Sequence, residues 1–363
     1  MSSYSPEAMS DFALRVRKAS ITEWGYRRAV EMVGAAAKFL DIQKTIEKVA
    51  SFNEPVLITG ESGSGKEALA QAVYLMGPRR GKPFVSVNCP QYVEGNLTVS
   101  ELFGHKKGSF TGASSDRRGC FETADRGVIF LDEIGDLHMS AQVMLLRSLA
   151  NGEFQPLGSE ITQSVNVRIV AATNRPLTQL IASAGFRHDL YHRLCYFLIR
   201  VPALREREND WFYLLEHTLQ RLRAQYGASR RFSQASLKML EDYEWPGNVR
   251  ELISVTTTGY ALADSDLIEP QHFMAHLSEG PPGSEDPSHD LYRRMTSNGG
   301  GFWELVHSPF LDRTLNRSQV KALIRQGLFD AGGSYRQLLH VFRLPSADYQ
   351  KLMDFLRHHD LKP

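Results

Sequence analysis

A lysine, two adjacent acids and a run of glycines are the residues of this 363-residue chain best suited to chemistry. Gly60-Glu61-Ser62-Gly63-Ser64-Gly65-Lys66 fits the spacing G-x-x-x-x-G-K. It closes the apolar run PVLITG (55–60) and opens the helical pattern EALAQAVYLM (67–76). In that context the glycines let backbone N–H groups turn toward phosphate oxygens. The helix N-terminus adds positive potential, and Lys66 reaches the terminal phosphates. The next residue is Glu67, where a Ser or Thr usually ligates magnesium. Another group or water must take that place.

A second apolar run, GVIFLDE (127–133), delivers Asp132 and Glu133 to its C-terminal end, where ligands bind in open α/β sheets. Asp132 suits the magnesium shell. Glu133 suits orienting or deprotonating an attacking water, which favours a hydrolase over a scaffold that merely holds nucleotide. A third run, VRIVAATN (167–174), ends in Asn174. An amide there reaches a γ-phosphate or the attacking water, although Asn at a strand end is also a common turn residue.

These runs, with PFVSVN (83–88), alternate with helical stretches such as SAQVMLLRSLA (140–150). Alternation of this kind indicates a parallel α/β sheet covered on both faces. After about Arg205 the pattern turns helical, as in 211–227, 233–243 and 248–262. SEGPPGSEDPS (278–288) and SNGGG (297–301) read as exposed linker, followed by a last helical block. The expected domains are a short N-terminal segment (1–30) with little periodic signal, an α/β part (31–205), a helical part (206–277), a linker (278–301) and a C-terminal domain (302–363).

Composition narrows the classes. Hydrophobic residues make up 42% and charged residues 23%, which argues against disorder. Lys plus Arg (42) less Asp plus Glu (41) gives +1, so any basic surface must be local. Cys89, Cys120 and Cys195 are odd in number, fit no metal spacing and read as reduced thiols. The longest apolar runs are far below the roughly 20 residues of a membrane helix, and the polar N-terminus is no signal peptide. A cytoplasmic protein is expected.

The ordered motifs resemble the AAA+ P-loop NTPases. GESGSGKE (60–67), SELFGHKKGSFTGA (100–113), GVIFLDEIGDL (127–137), FRHDLYHRL (186–194), VPALRERENDW (201–211) and YEWPGNVREL (243–252) narrow the match. Over about residues 30–275 they are similar to the central domain of bacterial enhancer-binding proteins, the ATPases that activate RNA polymerase carrying sigma-54. The resemblance implies a parallel sheet with a helical lid subdomain, ATP and Mg2+ as cofactors, and ATP hydrolysis in a homo-hexameric ring. In it Glu67 is normal, and Asn88 restrains the catalytic glutamate. Arg187 and Arg193 are fingers for the neighbouring subunit's γ-phosphate, and Arg250 is a second sensor. A guanidinium supplied in trans stabilises transition-state charge and makes turnover depend on assembly.

Gly108-Ser109-Phe110-Thr111-Gly112-Ala113 resembles the loop that touches sigma-54, with Ser109 where Ala is usual. Two glycines flank an exposed Phe-Thr pair, and an exposed apolar tip implies a partner. Another AAA+ remodelling ATPase without a sigma-54 role is the alternative, against which this loop and the terminal block weigh. That block resembles a Fis-type helix-turn-helix, whose third helix (about Ser346–His358) would enter the major groove of enhancer DNA. Arg343, Lys351, Arg357, His358 and His359 are the candidate phosphate contacts. Arg343 stands where the family's turn usually has glycine. With nine Lys or Arg against six Asp or Glu the block is only +3, and a helical dimerisation module is the competing reading. Only about 30 residues precede the ATPase, which leaves no room for a receiver, so control by a separate regulatory protein in trans is one expectation.

Overall fold

The computed structural model describes residues 9–91, 95–110, 113–278, 292, 295, 301–311, 317–331, 334–359 and 361. The chain divides into two compact units, Met1–Leu277 and Ser278–Pro363. The expected linker lies almost wholly outside the described residues, as do Thr111, Gly112 and the side chain of His358.

The first unit is built on a five-stranded parallel sheet. Its strands are β1 (Val56–Thr59), β2 (Phe84–Asn88), β3 (Val128–Asp132), β6 (Arg168–Thr173) and β7 (Phe197–Arg200), in the order β2-β3-β6-β1-β7. A small antiparallel pair, β4 (Glu153–Phe154) and β5 (Gln163–Ser164), stands apart from it. Helices α1 (Asp11–Trp24), α2 (Ala37–Val49), α3 (Lys66–Leu75), α4 (Gly95–Phe103), α5 (Cys120–Thr123), α6 (Met139–Asn151), α7 (Leu177–Ala182) and α8 (His188–Leu194) connect and cover the strands. Two cores flank the sheet because alternate strand residues face opposite ways. Val56, Ile58, Phe130 and Val170 join α2 and α3 on one face; Leu57, Ile129, Leu131 and Ala171 join α4 and α6 on the other. Full burial of each Val, Leu, Ile or Phe among them contributes roughly 1.5–3 kcal/mol.

Two elements go beyond the pattern read in the sequence. Residues 11–24, within the expected N-terminal segment, form a helix. Helix α1, capped by the Ser10 hydroxyl accepting from Ala13 N–H at 3.1 Å, buries Phe12, Ala13, Val16 and Ala19 in the sheet's core. Its inner face carries alanines and Ser20, so its apolar stripe is faint in the sequence. The edge strand β7 was not anticipated either. Its half-exposed FLIR lacks the continuous apolar pattern of the central strands.

The lid follows as α9 (Asp210–Tyr226), α10 (Gln234–Glu241) and α11 (Asn248–Leu262), closed by the short α12 (Met274–Ser278), around Leu215, Leu240, Trp245, Leu252 and Val255. A buried ion pair, Arg207–Asp210 at 2.8 Å, joins it to the α/β part. Asp210 accepts from the N–H groups of Ala35 (2.7 Å) and Ala36 (3.0 Å), while Arg207 donates to Val33 O and lies over the Phe39 ring. Every charge there is hydrogen-bonded, the condition for burying an ion pair without a net penalty.

The second unit packs the helices Arg317–Asp330, Tyr335–Val341 and Tyr349–His358 around Phe302, Ile324, Leu338, Phe342, Leu352 and Leu356. A π-turn at Trp303–His307 precedes them. Arg343, between the second and third, has φ +53°, a left-handed conformation that favours glycine. No helix among the described residues is long and apolar enough to cross a membrane.

Candidate nucleotide site and contact loop

The sheet order brings the C-terminal ends of β1, β3 and β6 together, and each supplies a polar group. Lys66 opens α3 directly after Gly65, whose φ of +99° turns the chain into the helix. Its side chain is only 7% exposed. The ammonium donates to Gly60 O at 3.0 Å and Glu61 O at 3.2 Å, and stands 3.4 Å from Glu133 Oε1. Glu133 also accepts the Asn174 N–H at 2.8 Å through Oε2. Its φ of +51° is a strained backbone that aims the carboxylate along the strand ends. The three runs singled out in the sequence thus meet on one carboxylate.

Asp132 Oδ1 accepts the Glu133 N–H at 3.1 Å. Burial and the neighbouring Glu133 charge together push its carboxyl above the usual range. A half-buried pair of acids with one lysine nearby is short of positive charge, so the donor set fits a divalent cation. Glu67 is exposed and accepts from Gln71 within its own helix.

The lid closes over the phosphate loop. Arg250 Nη1 donates to Ser62 Oγ at 3.1 Å. Asn248, fully buried with φ +54°, accepts from Leu204 N–H and donates to Glu61 Oε2 and Ser62 O, both at 3.1 Å. Arg205 grips Glu61 with two hydrogen bonds of 2.9 and 2.5 Å, which holds the Glu61 carboxyl below its ordinary value. Gly63, at φ +75°, faces the Gly247 carbonyl so closely that a Cβ would collide with it. Arg205 and Asn248 were missed in the sequence. The one available signal was the Pro-Gly-Asn turn of YEWPGN.

Asn88, Arg187 and Arg193 lie outside this hydrogen-bonded set. Asn88 ends β2 in register with Asp132, yet no hydrogen bond joins it to Glu133, whose oxygens are taken by Lys66 and Asn174. Arg187 is bound to Asp189 by bonds of 3.0 and 2.7 Å, and Arg193 is exposed on α8. Neither guanidinium bonds a residue of its own chain's phosphate site. Arg187 N–H donates to the buried Gln142 on α6, which fixes where the helix starts.

The 108–113 loop is anchored at its base. His105 and Arg117 exchange backbone hydrogen bonds, Lys106 N–H donates to Leu157 O, and Leu157 N–H to Gly104 O. Lys106 and Asp116 pair at 2.7 Å. The tip closes by Gly108 N–H to Ala113 O and Ala113 N–H to Phe110 O, with Ala113 buried. Phe110 is half-buried rather than fully exposed, its ring edge-on to His105 at 5.0 Å. The Ser109 hydroxyl is buried with no hydrogen-bond partner among the described residues.

In the second unit, Lys351 lies over the Trp303 ring at 4.1 Å and Trp303 Nε1 donates to Asp348 at 2.9 Å. Arg357 stands 3.9 Å from Asp354, and Arg343 is exposed. His359 lies against the Phe310 and Phe355 rings, both at 5.1 Å.

Residues 32–200 match the sigma-54 interaction domain, and residues 205–290 the AAA+ ATPase lid domain. The chain is 45% identical over 251 residues to the anaerobic nitric oxide reductase transcription regulator NorR of Klebsiella pneumoniae (strain 342), covering 67% of this chain and 48% of that one. It is 45% identical over 238 residues to the nitrogen fixation protein AnfA of Azotobacter vinelandii, covering 65% and 44%. Its fold is similar to the crystal structure of NtrX from Brucella abortus in complex with ATP, with TM-score 0.63 and 26% identity over 91% of this chain and 70% of that one. The chain spans about half the length of these two curated relatives.

Proposed function

This chain belongs to the sigma-54 interaction domain family of AAA+ ATPases, and from that premise we propose that it hydrolyses ATP at the boundary between neighbouring copies and drives the 108–113 loop against sigma-54 RNA polymerase. The observation that carries the reading is Glu133, held between Lys66 and the Asn174 N–H while Arg187 is paired with Asp189 and Arg193 is exposed.

Phosphate oxygens compete with the Gly60 and Glu61 carbonyls for the Lys66 ammonium, which then neutralises the terminal phosphates. Glu133 takes the proton of the attacking water. Asn174, whose N–H already holds that carboxylate, sets its angle. Asp132 would hold a magnesium ion's shell, and that ion would supply charge neutralisation on the phosphates. Arg187 exchanges Asp189 for the neighbour's γ-phosphate, one bidentate partner for another. Arg250 on Ser62 couples the lid to the loop's content.

The ring, a hexamer by family resemblance, presents Phe110 and Thr111 tips to sigma-54. Phe110 leaves one ring contact, with His105, and the backbone bonds at the loop's base stay made. The C-terminal unit is assigned to enhancer DNA through Arg343, Lys351, Arg357 and His358, with Lys351 swinging off Trp303. A separate regulatory protein acting in trans is the expected input.

Phosphate release tests the first half. Glu133→Gln should bind ATP and lose turnover by about 10²–10⁴-fold. Reconstituted promoter opening with sigma-54 polymerase tests the second. Phe110→Ala should hydrolyse ATP normally and open no promoter; full transcription by that variant rejects the loop assignment.

A further inference from the structure

Helix α8, which starts after Arg187 and carries Arg193, holds chemistry that nucleotide turnover does not use. His188 and His192 stand one turn apart on α8, both exposed. Their Nε2 atoms face each other at 3.1 Å, with rings nearly perpendicular and centroids 4.4 Å apart. Side chains at i and i+4 share one helix face. Two imidazole nitrogens at that separation, each about 2.05 Å from a zinc ion, would subtend about 100° at the metal, between the octahedral and tetrahedral angles. A small rotation of the two exposed rings, with His192 also edge-on to Tyr191 at 5.5 Å, turns both lone pairs to that point.

We propose that His188 and His192 form a binding site for a divalent transition metal that takes imidazole nitrogen, zinc foremost, and that its occupancy blocks the finger helix. Among the described residues no group of three or more His, Cys, Asp or Glu is gathered as a metal cage. The site is therefore a two-ligand chelate with water completing the shell, open and reversible. Magnesium, which prefers oxygen ligands, does not compete for it.

The placement gives the metal a consequence. Arg187 immediately precedes the first histidine and Arg193 immediately follows the second. A dication held between them offers the neighbour's phosphates an alternative partner and obstructs the approach of both guanidiniums. Asp189 is already committed to Arg187 and does not cap the metal. This consequence rests on the proposed role of the fingers; the binding itself does not.

The test is zinc titration of the full chain by calorimetry in excess magnesium, beside His188→Ala and His192→Ala. Both rings are exposed, so the variants should fold and hydrolyse ATP as the parent does. Cys89, Cys120 and Cys195 are common to all three chains, so any thiol binding cancels in the comparison. One zinc per chain should bind the parent, and about tenfold or more weaker to either variant, the size expected when a metal loses one of its supporting groups. Equal zinc affinity in all three overturns the proposal. Zinc should also slow ATP hydrolysis in the parent and not in the variants. Binding through the two histidines without inhibition upholds the site and counts instead against placing Arg187 and Arg193 at the neighbour's phosphate.

Discussion

The phosphate loop and the 108–113 loop are both short, glycine-rich turns, and they are held in opposite ways. Gly63 and Gly108 share the left-handed backbone, at φ +75° and +81°. A Cβ on Gly63 would strike the lid's Gly247 carbonyl, whereas one on Gly108 would meet nothing within 4 Å among the described residues. Around Gly63, Arg205, Asn248 and Arg250 converge from the lid. Around Gly108, among the described residues, the side-chain contacts are Phe110 against His105 and, at the loop's base, Asp116 with Lys106 and the Lys107 N–H. The same residue type serves a fixed cradle in one place and a movable tip in the other. What distinguishes them is how many outside groups bind the turn.

The largest expected effect follows from the fixed loop. Lys66→Ala should cut ATP turnover about 10³-fold, since it removes the one buried cation aimed at the phosphates; phosphate release measures this, and near-normal turnover would detach the lysine from the chemistry. A smaller effect is expected of the lid's grip. Glu61→Gln keeps the shape and gives up the charge that Arg205 holds. Because the pair is partly exposed, about 0.5–1 kcal/mol is at stake, or roughly two- to fivefold in KM for ATP with kcat little changed. An unchanged KM would show that the grip is ornamental to binding.

Acid should find the same clamped half of the molecule. Burial raises the Glu31 carboxyl, but hydrogen bonding and charge from His217, with Arg17 and Arg221, outweigh it and hold it at about 2. A carboxyl below its ordinary 4.5 lends stability that is present above that pH and lost as the pH falls toward 2. Glu31→Gln should flatten this part of the acid-unfolding curve. The smallest effect belongs to the movable tip. Ser109→Ala removes a buried hydroxyl with no partner among the described residues and should stabilise the loop by about 1 kcal/mol, seen as slower amide exchange at 108–113. Faster exchange would mean that the hydroxyl is satisfied in solution.

Much of the nucleotide site was legible because it is local. A strand, glycines and a lysine fall within a dozen residues, and an apolar run ends in two acids, so the phosphate-loop motif and the rule that ligands bind at strand ends place Lys66, Asp132 and Glu133 together. The lid's hold was not legible. Arg205 meets Glu61 across 144 residues and Asn248 meets it across 187, and no periodic pattern encodes such a pairing. Helix α1 escaped notice because alanines and a serine line its buried face, and β7 because an edge strand half in solvent lacks the apolar run of a central one. Asn88 was placed at the correct strand end, beside Asp132, but its contact with Glu133 depends on which groups already occupy that carboxylate. Phe110 looked exposed because sequence shows two flanking glycines and not His105 five residues back.

Mixing two inactive variants probes the shared boundary. Arg193→Ala keeps a working Glu133, and Glu133→Gln keeps a working Arg193. If the arginine serves the adjacent copy, mixed rings contain boundaries with both groups intact, and ATP hydrolysis returns well above either variant alone. A mixture as inactive as its components, under conditions where the two chains are seen to co-assemble, would place the arginine's action within its own chain and contradict turnover between neighbours.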